Sequence, residues 1–171
     1  MTKERQFLWG GAVSAAQCEG NYLADGRQPS NFDYLPLDDR RLKAVYKNQA
    51  ASILESTGDE IYPGRNGNDF YHHYQADIAL LKELGVNSFR FSISWSRIFP
   101  TGEEAEPNEA GIQFYEKLLT ELEKHQIEPI VTLSHFEIPI QLVKKYNGWE
   151  NRRVVDLFGH HAETVMRRFR G

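Results

Sequence analysis

From Asn68 to Phe169 the hydrophobic pattern alternates between a helical and a strand period, and that alternation restricts the chain to a βα architecture. In NDFYHHYQADIALLKELG, apolar Phe70, Tyr74, Ile78, Leu81 and Leu84 recur every three or four residues. Asn68 stands where an N-cap belongs and Gly85 where the chain must leave the helix. VNSFRFSISW then places Phe89, Phe91, Ile93 and Trp95 alternately with Arg90, Ser92 and Ser94, which is a strand. A second helix runs from near Asn108 to His125, with Ile112, Tyr115, Leu118, Leu119 and Leu122 on one face. A second strand, about Pro129 to Ser134, reads as buried because Val131, Thr132 and Leu133 are β-branched or apolar. The third helix extends from near Asn151 to Phe169 and carries Val154, Phe158, Ala162, Val165 and Phe169. Ahead of all these, FLWGGAV, Phe7 to Val13, reads as a short buried strand.

Strands that alternate with helices of this length imply parallel βα units. Both a (β/α)8 barrel and a doubly wound sheet satisfy the pattern, and periodicity does not choose between them. At 171 residues the chain suffices for one domain with a sizeable core. A polar stretch from about Glu19 to Gly67 holds the turn signals DG, QPSN, PLDD, STGD and YPGRNG, with a helical turn or two expected around RRLKAVYKNQAASIL. A connection this long is usually functional or disordered.

A net charge of −4, with both signs interspersed, offers no field for nucleic acid or anionic lipid. The single cysteine, Cys18, excludes an internal disulfide framework and a cysteine-based metal cage. The opening MTKERQFLWGG lacks the apolar segment of a signal peptide, and no run approaches the length of a membrane span. A cytoplasmic protein with no nucleic-acid or membrane partner is the expectation.

Some polar residues do not fit a core. If Phe89, Phe91 and Ile93 face covering helices, then Arg90, Ser92 and Ser94 face the other way. In a doubly wound sheet that side is also helix-covered and should be apolar. In a barrel, Arg90 would point inward toward acidic groups near the mouth, since a buried guanidinium needs a partner; on a half-exposed edge strand it would simply meet solvent. His135 stands at the carboxyl end of its strand, where parallel α/β folds place ligands, although a lone histidine is as readily a structural group. Glu137 could serve as a helix N-terminal acid, because Pro139 and IQLVKKY suggest a short helix. Gln17 and Glu19 lie just beyond the first strand; an amide suits sugar hydroxyls, or it bonds to loop backbone. The pairs His72-His73 and His160-His161 read as solvated helix positions rather than metal ligands, and Cys18 as a packing residue. No G-x-G-x-x-G and no P-loop occurs, which disfavours a nucleotide, and no cofactor is expected.

FLWGGAVSAAQCEG, DFYHHYQADIALLKELGVNSFRFSISWSRIFPTG, EPNEAG and EPIVTLSHFEIP, in that order, resemble the amino-terminal part of glycoside hydrolase family 1. The likeness covers nearly the whole chain and is weakest between Arg27 and Glu60. SHFEIP, in place of a histidine followed by tryptophan and aspartate, resembles the 6-phospho-β-glucosidases within that family. The resemblance implies an α/β fold, the amino-terminal portion of a (β/α)8 TIM barrel with about three of eight βα units. It also implies one incomplete domain over residues 1–171 and retaining hydrolysis of a phosphorylated β-glucoside. By the same resemblance Gln17 and His135 bind hydroxyls of the sugar whose anomeric carbon reacts. Arg90 orients the nucleophilic carboxylate, and Phe136 takes the place of an aromatic flanking that sugar.

Retaining chemistry requires two carboxylates roughly 5 to 5.5 Å apart. The family supplies its acid/base glutamate in an Asn-Glu pair after strand four and its nucleophile in a Glu-Asn-Gly segment near strand seven. Neither stands in this sequence: Asn108-Glu109 opens the second helix, and Glu150-Asn151 is followed by Arg152. A complete barrel takes roughly 250 residues. The expectation is that this chain alone turns over no glycoside, and is either inert or acts only with a complementary carboxyl-terminal polypeptide. Two alternatives stay open: a fragment of a β-glucosidase or β-galactosidase for unphosphorylated sugars, and a non-catalytic sugar-binding module.

Overall fold

The computed structural model describes residues 7–41 and 60–170. The helical turns expected within RRLKAVYKNQAASIL fall almost wholly outside the described residues.

Three strands, β1 (Gly10–Ala12), β2 (Ser88–Ser92) and β3 (Glu128–Thr132), form a parallel sheet in the order β1-β2-β3. The register places Ala12 beside Arg90 and Arg90 beside Ile130. The helices, in chain order, are α1 (Ala15–Cys18), α2 (Pro63–Asn66), α3 (Phe70–Glu83), α4 (Trp95–Ile98), α5 (Glu109–Lys124), α6 (Ile140–Tyr146) and α7 (Arg152–Arg168). Each strand is thus followed by a long helix, α3, α5 or α7.

Both crossover helices lie on one face of the sheet. Phe89 and Phe91 of β2 are buried in one cluster with Ile78 of α3 and Ile112, Tyr115, Leu118 and Leu122 of α5. Phe70 packs on Phe89 at 6.2 Å between ring centres, and Phe91 stacks on Tyr115 at 6.5 Å. The opposite face of β2 carries Ser88, Arg90 and Ser92. Sequential strand order with helices on one side only is the arrangement of a barrel wall; a doubly wound sheet reverses its order and covers both faces. This resolves the ambiguity that periodicity left open.

The helices follow their sequence signals with small displacements. Asn151 caps α7, its side chain accepting from the Arg153 amide at 2.9 Å. Gly85 leaves α3 at φ +80°, as its position predicts. The cap of α3 is Asp69 rather than Asn68, and Leu84 is exposed rather than part of the core stripe. Pro139, not Glu137, stands at the cap of α6, and its first turn contains no acid.

The expectation of buried first and third strands is not met. Phe7 and Trp9 are 77% and 65% exposed, all of β1 is exposed, and Ile130 and Val131 of β3 are also open to solvent. The cause is position: β1 and β3 flank β2, and among the described residues neither pairs with a strand on its outer edge. Apolar sequence predicts burial only where something covers it. Gly10 is set by the close approach of β1 to β2, since a Cβ there would lie 1.9 Å from the Ser88 carbonyl oxygen.

Candidate functional site

At the exit of β1, Ser14 turns the chain into α1. The Ala15 amide donates to Ser92 Oγ at 2.8 Å, which ties α1 to the end of β2. The Ser14 hydroxyl donates to Gln17 Oε1 at 2.9 Å, and the exposed Gln17 amide nitrogen has no hydrogen-bond partner among the described residues. On β2, Arg90 is half-buried on the face away from the helices, and its Nε donates to Thr132 Oγ1 of β3 at 2.8 Å. Beyond β3, His135 is half-buried and meets the ring of Phe136 edge-on at 4.6 Å.

The three predicted site residues therefore stand on three successive βα units: one at the exit of β1, one on β2 and one beyond the exit of β3. No hydrogen bond, ion pair or ring contact links them directly among the described residues. The carboxylate expected beside Arg90 is also missing among the described residues; a threonine hydroxyl takes one guanidinium N–H instead. An amide, a guanidinium, an imidazole and an exposed aromatic can hold hydroxyls and one sugar face. The acids next to them are buried, Glu19 in an ion pair with Arg97 and Glu137 beneath its own loop, so they offer no pair able to cleave a glycoside.

Those acids belong to a buried polar layer beneath the strand exits that sequence reasoning missed. Glu19, read as a loop residue, is buried and pairs with Arg97 Nε at 3.0 Å. It also accepts from the Tyr115 hydroxyl, which in turn accepts from the Ser94 amide at 2.7 Å. The Arg97 guanidinium lies 4.3 Å from the centre of the Tyr71 ring, a cation–π contact. Burial together with the negative charge of Glu19 pushes the Tyr115 hydroxyl well above its ordinary value, so it acts as a neutral donor. A second buried pair joins Arg27 to Asp33 at 3.0 Å, and Asp33 also accepts from the Ser30 amide at 2.7 Å. Charged residues inside apolar runs, such as Arg97 in WSRIF, were the available signal.

Glu137 and His161 are the other two surprises. Glu137 is fully buried, and neither carboxyl oxygen has a hydrogen-bond partner among the described residues. Burial pushes its carboxyl up to about 8, aided by Glu19; the nearby amides of Glu137 and His135 and the Arg27 guanidinium pull the other way. These amides influence the carboxyl without reaching hydrogen-bond geometry. His161, expected to be solvated, is buried. Its Nε2 is 3.0 Å from the Leu133 carbonyl oxygen and therefore carries the proton, and its ring stacks on Trp95 at 5.4 Å. Burial lowers its affinity for a second proton to about 4. Of the four histidines in the two pairs, only His161 turns inward. Cys18 is buried as expected, and burial pushes its thiol up, so it is no nucleophile.

Comparison with known proteins places this geometry. The family described as glycosyl hydrolase family 1 matches residues 2–171. The chain is 47% identical over 163 residues to the aryl-phospho-beta-D-glucosidase BglH of Bacillus subtilis, covering 95% of this chain and 32% of that protein. It is 46% identical to the phospho-cellobiase of Klebsiella oxytoca, over 98% of this chain and 34% of the relative. It is also 46% identical to a 6-phospho-beta-glucosidase of Dickeya chrysanthemi, over 96% and 33%. Among solved structures, a beta-glucosidase from rice superposes with a TM-score of 0.76 at 36% identity, covering 95% of this chain and 30% of the rice protein. The chain thus spans about a third of the length of these relatives, and its three βα units are the amino-terminal portion of a (β/α)8 barrel. Matched along nearly its whole length, the chain belongs to glycosyl hydrolase family 1.

Proposed function

We propose that this chain supplies the amino-terminal third of an active site that hydrolyses 6-phosphorylated β-glucosides with retention of configuration. Within it, Gln17 and His135 hold hydroxyls of the reacting sugar, and Arg90 orients a nucleophilic carboxylate contributed by a complementary carboxyl-terminal polypeptide. Residues 1–171 are then one incomplete domain working in the cytoplasm, where phosphorylated sugars are retained. The observation that carries the substrate class is the set of names borne by relatives at 42–47% identity, all of which refer to phosphorylated glucosides or cellobiose. The site's own chemistry supports the sugar part of that class: an outward-facing amide, an imidazole beside an exposed aromatic, and a guanidinium without a carboxylate among the described residues.

The test is an assay with p-nitrophenyl β-D-glucoside 6-phosphate, using the chain alone and the chain mixed with the remaining two-thirds of a relative. Turnover in the mixture and none in either part is expected. Turnover by the chain alone, or a mixture that cleaves only the unphosphorylated glucoside, contradicts the proposal. The second outcome would favour the reading suggested by the rice beta-glucosidase. Binding of the glycoside by the isolated chain, without turnover in any mixture, would favour a non-catalytic sugar-binding module.

A further inference from the structure

The loop joining β3 to α6 alternates sharply between outside and inside. Phe136 is 74% exposed while its neighbour Glu137 is fully buried. The backbone reverses between them through a left-handed conformation at Phe136, φ +72°, which an aromatic residue adopts only when its surroundings impose it. The loop is held from below on both sides of this point. The Ser134 hydroxyl donates to the Glu137 carbonyl oxygen at 3.1 Å. The Ile138 amide donates to Asn31 Oδ1 at 2.8 Å, and the Asn31 amide returns a bond to the Ile138 carbonyl at 3.0 Å. The Ile140 amide donates to the Pro29 carbonyl at 3.0 Å. Asn31 and Pro29 belong to the segment that carries the buried Arg27–Asp33 pair.

A carboxyl with no hydrogen-bonded partner among the described residues, sealed inside, is a costly choice for a core residue. It is explained if the group acts on the loop that encloses it. Among the described residues, the groups that act on it are Cys18 and Glu19 after β1, Arg27 in the following segment, and the amides of His135 and Glu137 in its own loop. We infer that Glu137 is a positioning residue: its buried side chain fills the space under the β3–α6 loop, fixes the strained turn at Phe136, and so holds the His135–Phe136 pair against each other at the strand exits. The inference deepens the proposed sugar site and takes from it only the purpose of the His135–Phe136 pair. Uncharged, the carboxyl matches the electroneutral set of Arg27 with Asp33 and Arg97 with Glu19; ionised, it adds an uncompensated negative charge next to Glu19 and drives the loop open. Burial raises the pH of that change to about 8.

The test is NMR of the His135 imidazole C–H resonances, identified by their loss in His135→Gln. These protons sit beside the Phe136 ring and carry its ring-current displacement as long as the pair is in place. The wild type, Glu137→Gln and Glu137→Ala chains are followed from neutral pH to well above about 8, with far-UV circular dichroism as the check on folding. In the wild type the displacement should be lost as pH rises through that region. In Glu137→Gln, a neutral group of the same shape, it should persist throughout. In folded Glu137→Ala it should be absent at every pH. If Glu137 only adds bulk to the core, Glu137→Ala keeps the displacement while melting earlier, and the inference fails. If Glu137→Ala does not fold, the comparison of wild type with Glu137→Gln decides: identical pH responses overturn the inference. Titration with phenyl β-D-glucoside 6-phosphate separates the two levels. Lost displacement in Glu137→Ala with no sugar response in the wild type upholds the positioning role and counts against the sugar site.

Discussion

Changing Glu137 to glutamine should remove a fall in stability that the wild type shows between about pH 6.5 and 8. In the folded chain this carboxyl holds its proton up to about 8, whereas in the unfolded chain it loses it near the ordinary 4.5. Between those values the folded state binds more protons than the unfolded state, so stability decreases as pH rises. The fall ends above about 8, where both states are ionised. At ~1.4 kcal/mol per pH unit the full difference is about 5 kcal/mol, which is the ceiling of the effect. His161 acts in the opposite sense. Its folded form resists protonation down to about 4, below the ordinary 6.5, so its contribution is lost as pH falls through that range. From about 4.5 to 6.5 the two slopes oppose each other, and from about 6.5 to 8 Glu137 stands without His161. Urea midpoints of wild type and Glu137→Gln across this range provide the assay. A wild-type midpoint that is flat or rising from 6.5 to 8, or an equal fall in Glu137→Gln, would refute the reasoning.

Other outcomes follow from the same packing. Arg97→Met leaves Glu19 buried without its cation and should cost about 3–5 kcal/mol by urea denaturation; adding Glu19→Gln should recover part of that. Gly10→Ala places a methyl 1.9 Å from the Ser88 carbonyl and should release β1, seen as faster amide exchange at Gly11 to Val13 with β2–β3 exchange unchanged. Asn151→Ala removes the cap of α7 and should lower stability by about 1 kcal/mol, with serine in its place restoring most of it.

The helices and β2 were legible because their periodicities depend on a single cover that is present. Ile112, Tyr115, Leu118 and Leu122 lie in one buried cluster with Phe91, as their spacing requires. The outer strands were misread because an apolar run does not reveal whether a neighbour exists. The placement of Gln17 just beyond β1, of Arg90 on the face of β2 away from the helices and of His135 beyond β3 was legible from strand ends and alternation; their roles toward a sugar rest on likeness to a family. The buried acids were not. Glu19 and Arg97 pair across 78 positions of sequence, and no local pattern encodes such a partner. Glu137 looked like a helix-start acid because Pro139 lies two residues on, yet the chain turns over at Phe136 and drives the side chain inward. His161 differs from His160 by only one helical step, about 100°, which decides between core and solvent.

The most direct test is a chimera in which this chain replaces the matching amino-terminal third of the Klebsiella oxytoca phospho-cellobiase, assayed on phosphorylated and unphosphorylated p-nitrophenyl β-D-glucoside. The chimera should cleave the phosphorylated glucoside, and Arg90→Met and His135→Ala should each abolish most of that turnover while leaving the chimera folded. A folded chimera without activity, or one whose activity is indifferent to both substitutions, would contradict the assignment of these strand exits to a sugar site.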